Sequence, residues 1–183
     1  MTGKYEKNET KKQKSETWSW IRCILAAAVI ALVLRFFVFE LVVVQGDSMA
    51  PGLQTGQVIF VEKLTKRFSL PENDEIVVVK YTDVDERYYV KRVMGVPGDV
   101  LEIHEGVLYR NGQALQEDYL LEEIIYQDME KITVPEDHIF VLGDNRNNSM
   151  DSRDPRVGAV PGEDIVGTGK FVLLPAKEMK SLN

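Results

Sequence analysis

The sequence predicts a mainly β, antiparallel domain preceded by one N-terminal transmembrane helix. Three observations carry this: a basic start followed by one long apolar stretch, a succession of short β-branched and aromatic runs separated by Gly, Pro, Asn and Asp, and a charge that changes sign between the two. Residues 1–35 hold seven Lys/Arg against three Asp/Glu, which leaves 15 basic against 26 acidic residues beyond them, a net of −11. A domain that acidic argues against nucleic acid as a partner, because phosphates demand a basic face. At 183 residues and 44% hydrophobic content, the chain supports one modest domain with its own core plus an appendage.

The appendage reads as a membrane anchor over residues 18–39, behind a tail of residues 1–17. From Trp18 to Phe39 run 22 residues broken only by Arg22, Arg35 and a few small polar groups; as a helix they span ~33 Å, enough for a bilayer core. Arg35 sits near one end, where its stem can snorkel, and Trp18 and Trp20 lie where interfacial aromatics belong. A cleaved signal peptide would explain the apolar run Cys23–Leu34, but the following Arg35-Phe36-Phe37-Val38-Phe39-Glu40 lacks a small-x-small site. Ala26 and Ala28 have that spacing inside the apolar run itself. Lys4, Lys7, Lys11, Lys12 and Lys14 argue against a buried core helix and for a cytoplasmic N-terminus with the acidic domain, residues 40–183, outside. The first ~17 residues are expected to be disordered, from their charge and scarcity of apolar side chains. Cys23 falls within the anchor, so the domain is expected to form no internal disulfide.

Strands are expected at Leu41–Val44, Val58–Val61, Ile76–Tyr81, Tyr88–Met94, Val100–Ile103, Val107–Tyr109, Ile139–Leu142 and Gly169–Leu174. Glu105-Gly106 and Asn111-Gly112 are turn dipeptides on either side of Val107–Tyr109 and signal a compact hairpin. The acidic stretch Glu117–Lys131 stays open between part helix and irregular chain. With no internal repeat or second linker, one domain is the economical reading.

Two residues within this β pattern stand out chemically, Ser48 in Gly46-Asp47-Ser48-Met49-Ala50-Pro51 and Lys91 in Tyr89-Val90-Lys91-Arg92-Val93-Met94-Gly95-Val96-Pro97-Gly98-Asp99. A nucleophilic serine needs a base, and the two histidines, His104 and His138, lie beside no plausible nucleophile. On a strand over Tyr88–Met94, Tyr89, Lys91 and Val93 share one face while Val90, Arg92 and Met94 share the other. An exposed lysine, with pKa ~10.4, is neutral only about 0.04% of the time at pH 7, so it serves as a base only if burial lowers that value. Taken alone, Lys91 reads more readily as a strand-edge lysine reaching water than as a base. A third run, Gly143-Asp144-Asn145-Arg146-Asn147-Asn148-Ser149-Met150-Asp151-Ser152-Arg153, concentrates turn residues, hydroxyls and opposite charges after the strand Ile139–Leu142; taken alone it reads as a solvated loop.

Together and in this order, the basic tail, the anchor, the serine run, the strand Asp74–Val79, the lysine run, the hairpin Leu108–Gly112 and the Gly143–Arg153 loop resemble the type I signal peptidases, membrane-bound serine-lysine endopeptidases that remove signal peptides from exported proteins. The resemblance implies a signal-peptidase-like antiparallel β-sheet catalytic domain with Ser48 as nucleophile and Lys91 as general base. It further implies that Ser149 orients the lysine amine, that Asp144 pairs with Arg92, and that Asp151 and Arg153 form a second supporting pair. Attack by Ser48 Oγ would give an acyl-enzyme, with the Ser48 backbone N–H stabilising the oxyanion. Two positions depart from the family pattern: Gly46 stands where some members carry a serine that donates to the oxyanion, and Gly52 stands where many carry threonine.

A substrate peptide is expected to add to a strand edge, with Val44, Met49, Tyr89 and Val90 lining shallow pockets for small residues at the first and third positions before the cut. The partners implied are exported preproteins and the lipid bilayer. No metal or organic cofactor is expected, since there is neither Cys/His ligand spacing nor a phosphate-binding Gly-rich loop. Two other classes stay open: a membrane-anchored β domain, catalytically weak or inactive, that binds exported polypeptides, and a self-cleaving repressor-type serine-lysine enzyme, which would need a DNA-binding module where this chain has an apolar helix. Oligomeric state is not legible.

Overall fold

The structure is a computed structural model; it describes residues 3–82, 84, 87–120, 122 and 124–182, with the backbone alone for residues 3–17. The chain divides into two compact units, one ending at Val38 and the other beginning at Phe39.

The first unit is one helix, α1 (Gly3–Phe37). Its segment Trp18–Phe37 is 20 residues long with a mean hydropathy of 2.2 and none of it buried, long and apolar enough to cross a membrane. Two expectations shift. The tail expected to be disordered is helical from Gly3 onward; Lys, Glu and Gln are good helix formers, and an apolar helix already nucleated downstream extends through them at little cost. The helix also stops at Phe37 instead of Phe39, because Phe39 and Glu40 pair in the first strand, where the Phe39 ring stacks on Phe60 at 5.4 Å.

The second unit is β, and among the described residues it has two antiparallel sheets. The larger runs β1 (Phe39–Val43), β2 (Val58–Glu62), β11 (Ile165–Leu174), β3 (Ile76–Lys80), β4 (Tyr88–Gly95), β9 (His138–Leu142) and β10 (Val160–Pro161), with β12 (Lys180–Ser181) added to β11. The smaller runs β7 (Gln113–Ala114), β6 (Val107–Arg110), β5 (Val100–His104) and β8 (Met129–Thr133). All eight expected strands are present. The last one starts four residues early, at Ile165, because Gly167 lets β11 lie against the Glu62 carbonyl of β2, where a Cβ would collide. Both expected turn dipeptides close two-residue hairpins, at His104↔Val107 and Arg110↔Gln113, with positive φ at Glu105, Gly106, Asn111 and Gly112.

Strand alternation sorts the core. On β4, Val93 and Tyr89 pack with Val77, Tyr81 and Val141, whereas Val90 joins the cluster of Met49, Leu53 and Val61, and Met94 joins Leu101, Phe140 and Leu142. The open stretch Glu117–Lys131 forms no helix among its described residues and enters β8 at Met129. Side-chain contacts to the Gly143–Arg153 loop hold it.

Candidate active site

Ser48 lies on the connection between β1 and β2. That connection is closed at its base by Val44 N–H to Gln57 O (2.8 Å) and Gly56 N–H to Val44 O (2.9 Å). Gly46 takes a φ of +82°, a left-handed conformation that bends the chain into the turn. Past Ser48, Leu53 N–H closes onto Met49 O at 2.8 Å, and Met49 and Leu53 are fully buried, so two apolar side chains root the turn in the core.

Lys91 comes from the centre of the sheet, between β3 and β9, opposite Val77. It is 1% exposed, and its Nζ lies 2.8 Å from Ser48 Oγ and 5.8 Å from the centre of the Tyr89 ring. Burial among apolar neighbours disfavours the ammonium form and lowers the Lys91 pKa from 10.5 to about 8; Asp151 and Asp144 pull the other way, while Arg153 adds to the lowering. Neutral amine is then about 10% of the population at pH 7. Neither histidine stands in for it: His104 is exposed at the end of β5, and the His138 ring meets the Glu136 carbonyl through Nδ1 at 2.7 Å.

The Gly143–Arg153 loop surrounds this pair. Arg92 grips Asp144 through two parallel bonds, Nε to Oδ1 and Nη2 to Oδ2, both 2.8 Å, with Asp144 fully buried. Arg153 grips Asp151 in the same way at 2.8 and 2.9 Å, and Asp151 also accepts the Gly143 N–H at 3.1 Å. Asn145 ties the loop to the nucleophile turn, its N–H donating to Ser48 O at 3.0 Å and its Nδ2 to Asp47 O at 3.2 Å. Among the described residues the buried Ser149 hydroxyl has no hydrogen-bond partner, so it makes no bond to Lys91 here; it packs against Gly143, where a Cβ would collide with both Ser149 Oγ and Ser48 O. Gly52 has a comparable reason, since a Cβ there would overlap the Asp144 carboxylate that Arg92 holds.

Beside Ser48 opens a groove of about 520 Å³ whose lining includes Val44, Met49, Tyr89 and Val90 along with β1 residues 41–43. The four residues expected around a bound peptide thus share one groove with Ser48.

Sequence reasoning missed a further layer. Arg146, 2% exposed, donates to Gly143 O at 3.0 Å and to both oxygens of Glu117 at 2.9 and 2.6 Å. Tyr119 lies under Arg92 with 3.9 Å from Cζ to the ring centre, and Asn147 exchanges bonds with Tyr126 N–H (3.0 Å) and Ile124 O (2.9 Å). Nothing local marks Glu117 or Tyr119, whose partners lie 29 and 27 residues away in the chain.

The chain thus joins an apolar N-terminal helix to a β domain in which a buried lysine amine lies against a serine hydroxyl. The profile of the signal peptidase, peptidase S26 family matches residues 17–174, and the chain belongs to that family. It is 37% identical over 187 residues to signal peptidase I S of Bacillus subtilis (strain 168), covering 97% of this chain and 100% of that one. It is 38% identical over 179 residues to a signal peptidase I of Bacillus amyloliquefaciens, covering 92% of each. Among solved structures, a signal peptidase I of Enterococcus faecalis V583 is 32% identical and covers 55% of this chain and 97% of its own, with a TM-score of 0.48.

Proposed function

We propose that this protein is a membrane-anchored serine endopeptidase that removes N-terminal signal peptides from exported preproteins by cutting after small-x-small sites. The observation that carries the reading is the 2.8 Å approach of a fully buried Lys91 Nζ to Ser48 Oγ, supported by family membership. Lys91, as a neutral amine, takes the proton from Ser48 Oγ as the oxygen attacks the scissile carbonyl, then hands it to the leaving amine. Water deacylates the ester, with Lys91 as base again. The Ser48 N–H donates to the oxyanion; Gly46 brings no side-chain donor. Asp144 with Arg92 and Asp151 with Arg153 hold the loop that packs on the serine turn, and Ser149, whose buried hydroxyl has a bond to give, orients the amine when substrate closes the site.

The groove beside Ser48 takes the extended peptide along β1, and its apolar lining by Val44, Met49, Tyr89 and Val90 leaves room for small side chains. The helix α1 confines enzyme and membrane-inserted substrate to one bilayer, with the lysine-rich end cytoplasmic and the β domain outside. The test is cleavage of a preprotein bearing an Ala-x-Ala site by detergent-solubilised full-length chain, with product termini read by mass spectrometry. Cutting after the second Ala, lost by at least about 10³-fold in Ser48→Ala and Lys91→Ala, is the expected result. Binding without turnover by the wild type would overturn the reading in favour of a binding module.

A further inference from the structure

The segment after β11 lies outside the family match, which ends at Leu174, yet it returns to the nucleophile turn. A short helical turn over Ala176–Glu178 leads into β12, which pairs with β11 at Phe171↔Ser181 and Val172↔Lys180. The Leu182 N–H then donates to Lys170 O at 3.0 Å.

Three contacts reach residues 49–57 from this segment. Lys180 Nζ donates to Gly52 O at 2.7 Å. Glu178 accepts from Nε2 of the buried Gln57 at 2.9 Å, while Gln57 Oε1 accepts the Gln54 N–H at 3.0 Å, so Glu178 fixes the amide that caps the end of the turn. Leu182 belongs to the same core cluster as Met49 and Leu53. The turn needs such help at Gly52, because the Asp144 carboxylate occupies the space of a side chain there and only the carbonyl is left to be gripped.

We infer that residues 175–182 are a strap that holds the serine turn in register, with Lys180 as its positioning residue. A cation on the Gly52 carbonyl opposes rotation of that peptide, and the turn transmits the restraint to Ser48 four residues earlier. Because the Lys180 contact is solvent-exposed, it contributes little to global stability. Its effect is on geometry, where a displacement of about 1 Å costs on the order of 10²-fold in rate. The inference rests on the serine-lysine reading above.

The test compares full-length wild type, Lys180→Met, Lys180→Arg and the remote control Lys131→Met in detergent. Cleavage of the Ala-x-Ala preprotein and amide hydrogen exchange by mass spectrometry are followed together. Lys180→Met is expected to lower kcat about tenfold with KM within twofold, and to speed exchange in residues 49–54 alone; Lys180→Arg restores both, and Lys131→Met changes neither. Wild-type kcat in Lys180→Met, unchanged exchange in the turn, or faster exchange across the whole domain each overturns the assignment. A wild type that does not cut would instead sink the peptidase reading, and the exchange arm would still decide the strap.

Discussion

Replacing Lys91 by Met should make the protein more stable while destroying its proposed activity. Methionine is close to lysine in length and volume and keeps the apolar packing without the amine. Folding lowers the Lys91 pKa from 10.5 to about 8, and each unit is worth about 1.4 kcal/mol, so the buried lysine costs the folded state about 3 kcal/mol at pH 7. The variant also loses the bond between Nζ and Ser48 Oγ, worth about 1 kcal/mol. The net expectation is about 2 kcal/mol of added stability, or a rise of roughly 4–8 °C in Tm for a chain of this size.

The pH dependence has a fixed sign. The depressed lysine penalises folding fully below about pH 8, the penalty shrinks as pH rises from there, and it is gone above 10.5, where the unfolded chain is neutral too. The advantage of Lys91→Met must therefore be constant up to about pH 8 and fall beyond it. Thermal and urea unfolding of full-length protein in detergent, followed by the near-ultraviolet dichroism of the stacked Tyr81–Tyr89 pair (4.4 Å), reads both quantities. A variant less stable than wild type at pH 7, or an advantage that does not shrink between pH 8 and 10, would refute a desolvated lysine.

The same depressed pKa predicts that kcat/KM for preprotein cleavage rises about tenfold per unit up to pH 7 and levels off above about pH 8, as measured by initial rates across that range. Glu117→Ala strands the buried Arg146 charge and should cost about 3–5 kcal/mol in urea unfolding. The double variant Glu117→Leu/Arg146→Met should recover most of that stability while lowering kcat, since the grip of Arg146 on the Gly143 carbonyl goes with the arginine. Gly143→Ala drives a methyl into Ser149 Oγ and Ser48 O; a loss of about 1–3 kcal/mol and about 10² in kcat is expected, and near-wild-type kcat would contradict the packing described.

How far the molecule was legible follows from how local each signal is. Period-two alternation on residues 88–94 placed Lys91 on the same face as Tyr89 and Val93, and the turn dipeptides at 105–106 and 111–112 marked both hairpins, because strand faces and positive-φ turns are properties of a few consecutive residues. The tail was misjudged for the complementary reason. Its composition alone favours disorder, but a helix started by residues 18–37 propagates into it. Glu117, Tyr119, Gln57 and Lys180 carried no signal at all, since the contact that ties each to the site is with a partner that the chain brings back from 27 or more residues away.

By itself, then, the sequence determined the apolar helix, the antiparallel β class, and which serine, lysine and loop to examine. Those depend on local periodicity, on turn chemistry and on a family resemblance spread along the chain. Only the tertiary structure decided that Lys91 is sealed from water and within 2.8 Å of Ser48, that Asp144 fills the space above Gly52, and that Lys180 reaches the serine turn. Burial and approach are set by the packing of strands distant in sequence, and the basicity of an amine is set by that burial.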